Sequence, residues 1–301
     1  MRLNGGDWST TTNFRLTTTD QVNEQPATAR PYNARLLRNR LFALSRNWLA
    51  TAWALKILAF LLGAISVSLS IFPKASPFVT AGLILLAELC LWRSDRLKSL
   101  AQTLHRKLDM EDSFGWKISA AEMSDVLARS PFDLNSLARQ DDMGSNYWAS
   151  KETPGSKRAV ENVQESAWWS KHLAESMWLV CLAWPCILLI GSVSLLIFSI
   201  QTFQDADQLS NAAKIVTSAI LLIFSLGFIR FTVGYFSFSK KSERIEEAAT
   251  AMLKSATIDN VEAIKLWQEY QLARSTAPML PTWIWKRRQV KLNLLWNQYR
   301  C

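Results

Sequence analysis

Three side chains stand where charge is hardest to keep. Lys56, Glu88 and Arg230 each interrupt an otherwise uncharged apolar run of this 301-residue chain. An ionisable group in such a run is expensive, which makes all three candidates for pore or gating work. Together they could form a polar ring at the inner mouth of a conduction path, or a latch that rearranges on opening. They also fit snorkelling combined with an ion pair that fixes helix packing. Counted outward from the turn between the first two runs, Lys56 and Glu88 are about five residues out of register, roughly 7 Å at 1.5 Å per residue. A Lys side chain spans that gap, so Glu88 has two potential cationic partners.

A second group is basic and aromatic. Lys286, Arg287, Arg288 and Lys291 interleave with Trp283, Trp285 and Trp296 near the C-terminal end. Cations at this spacing can hold phosphates while the indoles stack on bases. The same helix could lie on a lipid interface or pack on its own bundle. Signatures of catalysis are missing: no glycine-rich phosphate loop, no GxSxG and no HExxH. The four Cys (90, 181, 186, 301) and two His (105, 172) have no metal-binding spacing. The histidines read as packing or surface residues. Asp109, Glu111, Asp112 and the Asp141–Asp142 pair read as solvated faces and caps. No catalytic residue, metal or cofactor is expected, and the chain is not expected to be an enzyme.

The elements that position these groups are apolar runs: Trp48–Phe72, Pro77–Trp92, Met177–Ile200 and Ile215–Phe236. A helix crosses a hydrocarbon core of about 30 Å with about 20 such residues. The second run is short, so it must stand upright or thin the bilayer. Hydrophobic residues make up 49% of the chain and charged ones 20%, which excludes a disordered chain. The polar first 47 residues do not have the form of a signal peptide. Lys and Arg cluster before the first run (Arg35, Arg38, Arg40, Arg46), after the second (Arg93, Arg96, Lys98) and after the fourth (Lys240, Lys241, Arg244). The loop Gln201–Ala213 has none. By the positive-inside rule both termini and the long middle segment face the cytoplasm.

The expected fold is an all-α membrane protein, four transmembrane helices whose inner ends extend into a cytoplasmic helical bundle. Residues 1–31 read as a flexible N-terminal tail, and 32–92 as a cytoplasmic lead-in helix and the first transmembrane hairpin. Residues 93–176 form a cytoplasmic helical insert, 177–236 the second hairpin and 237–301 the C-terminal cytoplasmic helices. Leu97, Leu100, Leu104 and Leu108 share one face of the continuation of the second run. Ser119 with Glu122, and Asp259 with Glu262, predict capping boxes. Val261, Ile264, Trp267 and Leu272 are placed near one face of the helix that follows the second box. The long helices are expected to run unbroken into the spans, and no broken-helix pair of the transporter kind is expected.

The layout and several short motifs resemble the S-4TM family: pore-forming effectors with four spans and a large cytoplasmic insert, encoded in bacterial cyclic-nucleotide-based anti-phage systems. In the insert, LAQTLHRKLDMEDSFGW carries Asp109, Phe114, Gly115 and Trp116. Asn146, Tyr147 and Trp148 follow, then Gln164, Trp169 and Leu173. Arg274, Pro278, Pro281, Trp283, Trp285, Arg287 and Arg288 complete the match near the C-terminal end. The chain departs from the family at Leu108 and Gly115, and in its Thr-rich N-terminal segment. The resemblance implies an effector in the bacterial inner membrane that oligomerises or rearranges when a signal reaches its cytoplasmic domain. It then permeabilises the membrane and causes abortive infection. Lipid, copies of the same chain and a cyclic nucleotide from a neighbouring cyclase are the implied partners, and DNA is not. Asp109, Trp116, Trp148, Trp283, Lys286, Arg287 and Arg288 become the candidate ligand-binding residues. The alternative is a non-conducting membrane scaffold or sensor subunit that recruits a partner protein.

Overall fold

A computed structural model describes residues 33–69, 75–132, 148–202 and 206–300. Among the described residues the chain is all-helical, without strands. The order is α1 (Ala34–Leu69), α2 (Ser76–Phe114), α3 (Ala120–Arg129), α4 (Ser156–Thr202), α5 (Ala206–Ser225), α6 (Phe228–Leu253), α7 (Asn260–Thr276) and α8 (Thr282–Arg300). The N-terminal tail, Asn146, Tyr147 and the Asp141–Asp142 pair lie outside the described residues.

Four segments are long and apolar enough to cross a membrane: Ala34–Ser66, Ser76–Phe114, Ser156–Thr202 and Gln208–Leu253. In their most apolar windows only 6% to 22% of residues are buried by the rest of the chain. The exposed side chains include Leu85, Leu89, Ile190 and Phe198. An apolar surface of that kind fits lipid or another apolar partner, and not the buried core of a water-soluble bundle.

Local signals explain most boundaries. Pro77 sits in the first turn of α2, where a missing N–H costs nothing. The helix ends at Phe114 because Gly115 takes a left-handed cap, φ +75°, and donates to the Glu111 carbonyl. Ser119 and Glu122 form the expected capping box at the start of α3. Asp259 occupies the N-cap position of α7, but its side chain makes no cap bond, and Glu262 pairs with Lys265 instead. The buried face of α7 is also rotated from expectation. Ala263, Leu266, Trp267, Tyr270 and Ala273 turn inward while Val261 and Leu272 are exposed. Small and amphipathic residues line that face, so counting large aliphatics misplaced it.

The fourth span departs most from expectation. It is not one helix: α5 stops at Ser225 and α6 restarts at Phe228. Between them Gly227 adopts φ +71°, and its amide donates to the Phe224 carbonyl in a tightened turn. The preceding stretch is also more helical than its polarity predicted, with α4 reaching Thr202 and α5 beginning at Ala206.

The helices associate as two antiparallel sets. In the first, α1 and α2 approach along two stripes of small residues at heptad spacing, Ser45, Ala52 and Ala59 against Ala87, Ser94 and Ala101, all buried. The hydroxyls of Ser45 and Ser94 each donate to the other's carbonyl, at 2.7 and 2.8 Å. Small residues at a helix contact let backbones come close enough for such bonds. Leu37, Leu41, Leu97, Leu104 and Leu108 continue the contact into a leucine cluster that covers α3 through Met123 and Val126. In the second set, α4 packs on α6 and both pack on α7. They share one core that includes Ala167, Met177, Tyr235, Phe238, Ile245, Trp267 and Tyr270. Helix α8 adds Ile284, Leu292 and Trp296 from one stripe.

Candidate functional site

Lys56 is nearly enclosed, 7% exposed, although it lies in an apolar run. Its Nζ is 2.8 Å from Glu88 Oε1 and donates at 2.8 Å to the Ser225 carbonyl. The offset between Lys56 and Glu88 read from sequence is therefore bridged. The second contact follows from the break: in a continuous helix the Ser225 carbonyl would accept from residue 229. A cation at the C-terminal end of α5 also meets the negative end of its dipole. One ammonium thus ties α1, α2 and the α5–α6 junction together.

These groups line a cavity of about 650 Å³ that Arg230, Asp95, Lys98, Trp53 and Trp92 also border. Its far wall is the end of α7 and the α7–α8 linker, through Thr276, Pro278 and Met279. Lys98 donates at 2.8 Å to the Ala277 carbonyl, and Trp53 meets Phe231 edge-on at 5.5 Å. Arg230 shares the cavity with Glu88, but Glu88 is paired to Lys56 alone, and Arg230 pairs with no carboxylate among the described residues. The three charges singled out from sequence do converge, in unequal roles.

A second polar centre lies on the charged continuation of α2, well beyond the apolar run that ends at Trp92. Asp109 is 2% exposed and so belongs to no solvated face. Its Oδ2 accepts from Gln271 at 3.0 Å and from Arg274 at 2.9 Å, both on α7. Its Oδ1 lies 3.3 Å from His105 Nδ1, which is itself 3.2 Å from an Arg38 guanidinium nitrogen. If Nδ1 accepts from Arg38, Oδ1 has no donor. If Nδ1 carries the proton, it serves Asp109 instead. Burial, then the Arg274 charge, lower the His105 pKa to about 4, so the ring is neutral near pH 7. Burial pushes the Asp109 carboxyl up, but His105, Arg274 and Gln271 outweigh it and hold the group well below the usual carboxylate range. Asp112 is likewise engaged, accepting from Arg35 at 2.6 Å and from the Trp148 indole at 3.1 Å.

The remaining sequence candidates divide. Trp148 is tied to Asp112, and Trp116 stacks on Phe114 at 5.0 Å while 48% exposed. Both flank the end of α2 that Asp109 and Asp112 occupy. Trp283, Lys286, Arg287 and Arg288 sit apart on α8, which packs on α4 through Trp285 against Trp169 and Trp296 against Trp168. The two cavities beside Asp109 and its partners Gln271 and Arg274 are not bordered by the α8 cations. Beside Asp109 there is instead a groove of about 610 Å³ between α2 and α7, bordered by Gln102, Arg106, Lys107, Gln268 and Arg274. Asp109 and Arg274, quoted from opposite ends of the family resemblance, are thus direct partners. Asp109 positions the groove wall and does not itself face the groove.

Sequence reasoning missed several participants. Ser45, Ser94, Lys98, Gln102 and Gln271 are ordinary polar residues with no motif to mark them. The small-residue heptads were readable as a pattern, and Gly227 was readable as an isolated glycine in an apolar run. No protein-family model, curated protein or solved structure matches this chain.

Proposed function

We propose that this chain is a non-enzymatic membrane effector of bacterial anti-phage defence, held closed by the polar joint at the broken fourth span. In this reading the four apolar segments cross the inner membrane with both termini in the cytoplasm. The charged extensions of the helices form a cytoplasmic bundle. A cyclic nucleotide from a neighbouring cyclase acts on that bundle, and the groove between α2 and α7 is the natural place for the signal to enter. Movement of α7 is passed to α2 through Asp109, Lys98 and Gln102. The joint then opens, the spans rearrange or assemble with other copies, and the membrane becomes permeable, ending in abortive infection.

The observation that carries this reading is the Lys56 ammonium shared between Glu88 and the Ser225 carbonyl. It is a charged lock at a helix break inside apolar segments, where a purely structural contact is more cheaply made by packing. The test is membrane potential in bacteria producing the full chain, alone and with a nucleotide cyclase switched on. Depolarisation only with the cyclase is the expected result. Full polarisation in both conditions, with the protein shown to be in the membrane, would overturn the pore reading in favour of a non-conducting scaffold.

A further inference from the structure

The cavity at the break carries more positive charge than its own carboxylates neutralise. Lys56 is matched by Glu88. That leaves Arg230 and Lys98 against Asp95 alone. Arg230, an exposed residue of the apolar fourth run, has no carboxylate partner among the described residues, so a counter-anion beside it is favoured. The junction itself adds to the excess. Helix α6 begins behind Gly227 with no side chain capping its first amides, so its positive end is unclaimed, and Gly227 borders the cavity. Two independent features, an unpaired arginine and an uncapped helix start, thus favour an anion in one space.

We propose that this cavity is a phosphate site filled by the headgroup of an acidic phospholipid. The phosphate lies between Arg230, Lys98 and the start of α6, and the acyl chains run along the exposed apolar faces. The proposal rests on the reading that the apolar segments lie in a bilayer. Within that reading the position identifies the source of the phosphate. The cavity straddles the level where the apolar run of α2 ends at Trp92 and its charged continuation begins, and it is bordered by Trp53 and Trp92. Indoles concentrate at headgroup depth, and Trp92 is 59% exposed. A volume of about 650 Å³ holds a glycerophosphate headgroup with room to spare. A lipid seated there touches α2, α6 and the α7–α8 linker at once and reinforces the closed joint.

The test uses the full chain purified in a neutral detergent, with thermal unfolding followed as phosphatidylglycerol, phosphatidylcholine or inorganic phosphate is added. Phosphatidylglycerol is expected to raise Tm and phosphatidylcholine to leave it unchanged. The rise should vanish in the Arg230→Gln, Lys98→Gln double variant and persist when Lys286, Arg287 and Lys291 of α8 become Gln. A rise that survives the double variant, or that disappears with the α8 variant, overturns the site. Equal stabilisation by inorganic phosphate overturns the headgroup assignment. Where the double variant does not purify, wild-type protein labelled by a phosphatidylglycerol with a photoreactive headgroup decides. Label on the peptides holding Trp92 or Arg230 is expected, and label confined to α8 overturns the proposal. Because binding is read without conduction, its failure is separable from failure of the pore reading.

Discussion

Replacing Lys56 by Met removes the ammonium while keeping the length and apolar character of the side chain. The Ser225 carbonyl loses its donor and Glu88 loses its cation. A hydrogen bond to a charged group contributes about 1.5–3 kcal/mol. The two legs are unequal, because the Glu88 side chain is 56% exposed and its attraction is screened, whereas Lys56 is enclosed. Taking the Ser225 leg alone, at 1.4 kcal/mol per tenfold, the closed-to-open ratio falls by about 10- to 150-fold. Lys56→Met should therefore depolarise cells without the activating signal. Glu88→Gln keeps an acceptor for Lys56 and should do so weakly, with Glu88→Ala between them. A voltage-sensitive dye in cells, with membrane fractionation as the control, measures all three. The Lys56→Met, Glu88→Ala double variant should leak little more than Lys56→Met alone, since both act on one contact. Resting potentials equal to wild type for Lys56→Met, with the protein in the membrane, would refute the lock. So would full additivity of the pair.

Asp109→Asn removes the buried carboxylate that Gln271 and Arg274 serve and should cost about 1.5–3 kcal/mol, read as a fall in Tm in detergent. Stability should also decline on acidification. The folded His105 pKa of about 4 lies below the ordinary 6.5, so the unfolded chain takes up the proton first. Stability is then lost as pH falls from about 6.5 towards 4, by about 3 kcal/mol in all. Asp109, whose folded pKa is depressed, adds its own loss below its unfolded value. His105→Gln should flatten the Tm-against-pH curve between pH 6.5 and 4, and an unchanged slope would contradict the assignment. Gly234→Ala would bring a methyl to 2.7 Å from Pro278 Cγ. It should destabilise docking of the α7–α8 linker by about 1–3 kcal/mol, detected as faster proteolysis at that linker.

What could be read from sequence follows from how local each signal is. Apolar length revealed the four membrane-length segments, and Ser119 with Glu122 marked a helix start that depends on adjacent residues alone. The Lys56–Glu88 pairing was readable because a short hairpin fixes the register of two helices. The break at Gly227 was not. Gly63, Gly82 and Gly191 sit in comparable runs and leave their helices intact, so glycine permits a break without requiring one. What stabilises this break is a donor on α1, 169 positions away. Asp109 shows the same limit. Its charge and helix position suggest a solvated face, and only the approach of Gln271 and Arg274 from α7 makes burial tolerable. Partners far along the chain decide both cases, and neither periodicity nor composition reports them.

The way the two sets of helices meet gives the proposed opening a physical route. Within each set the contacts are mainly apolar: small residues and leucines between α1 and α2, an aromatic core among α4, α6 and α7. Such surfaces resist sliding, because displacement exposes area that nothing else covers. Between the sets much of the contact consists of long polar side chains reaching carbonyls at helix C-terminal ends. Lys56 serves Ser225 at the end of α5, while Lys98 and Gln102 serve Ala277 and Ser275 at the end of α7. Each donor is favoured by the negative end of a helix dipole. The same α7 end also carries Arg274, held by Asp109. A ligand that displaces α7 by one side-chain length therefore releases Lys98, Gln102 and Asp109 together. Lys56 and the contacts of Trp53 with Phe228 and Phe231 are then among those that still join α1 to the α5–α6 junction.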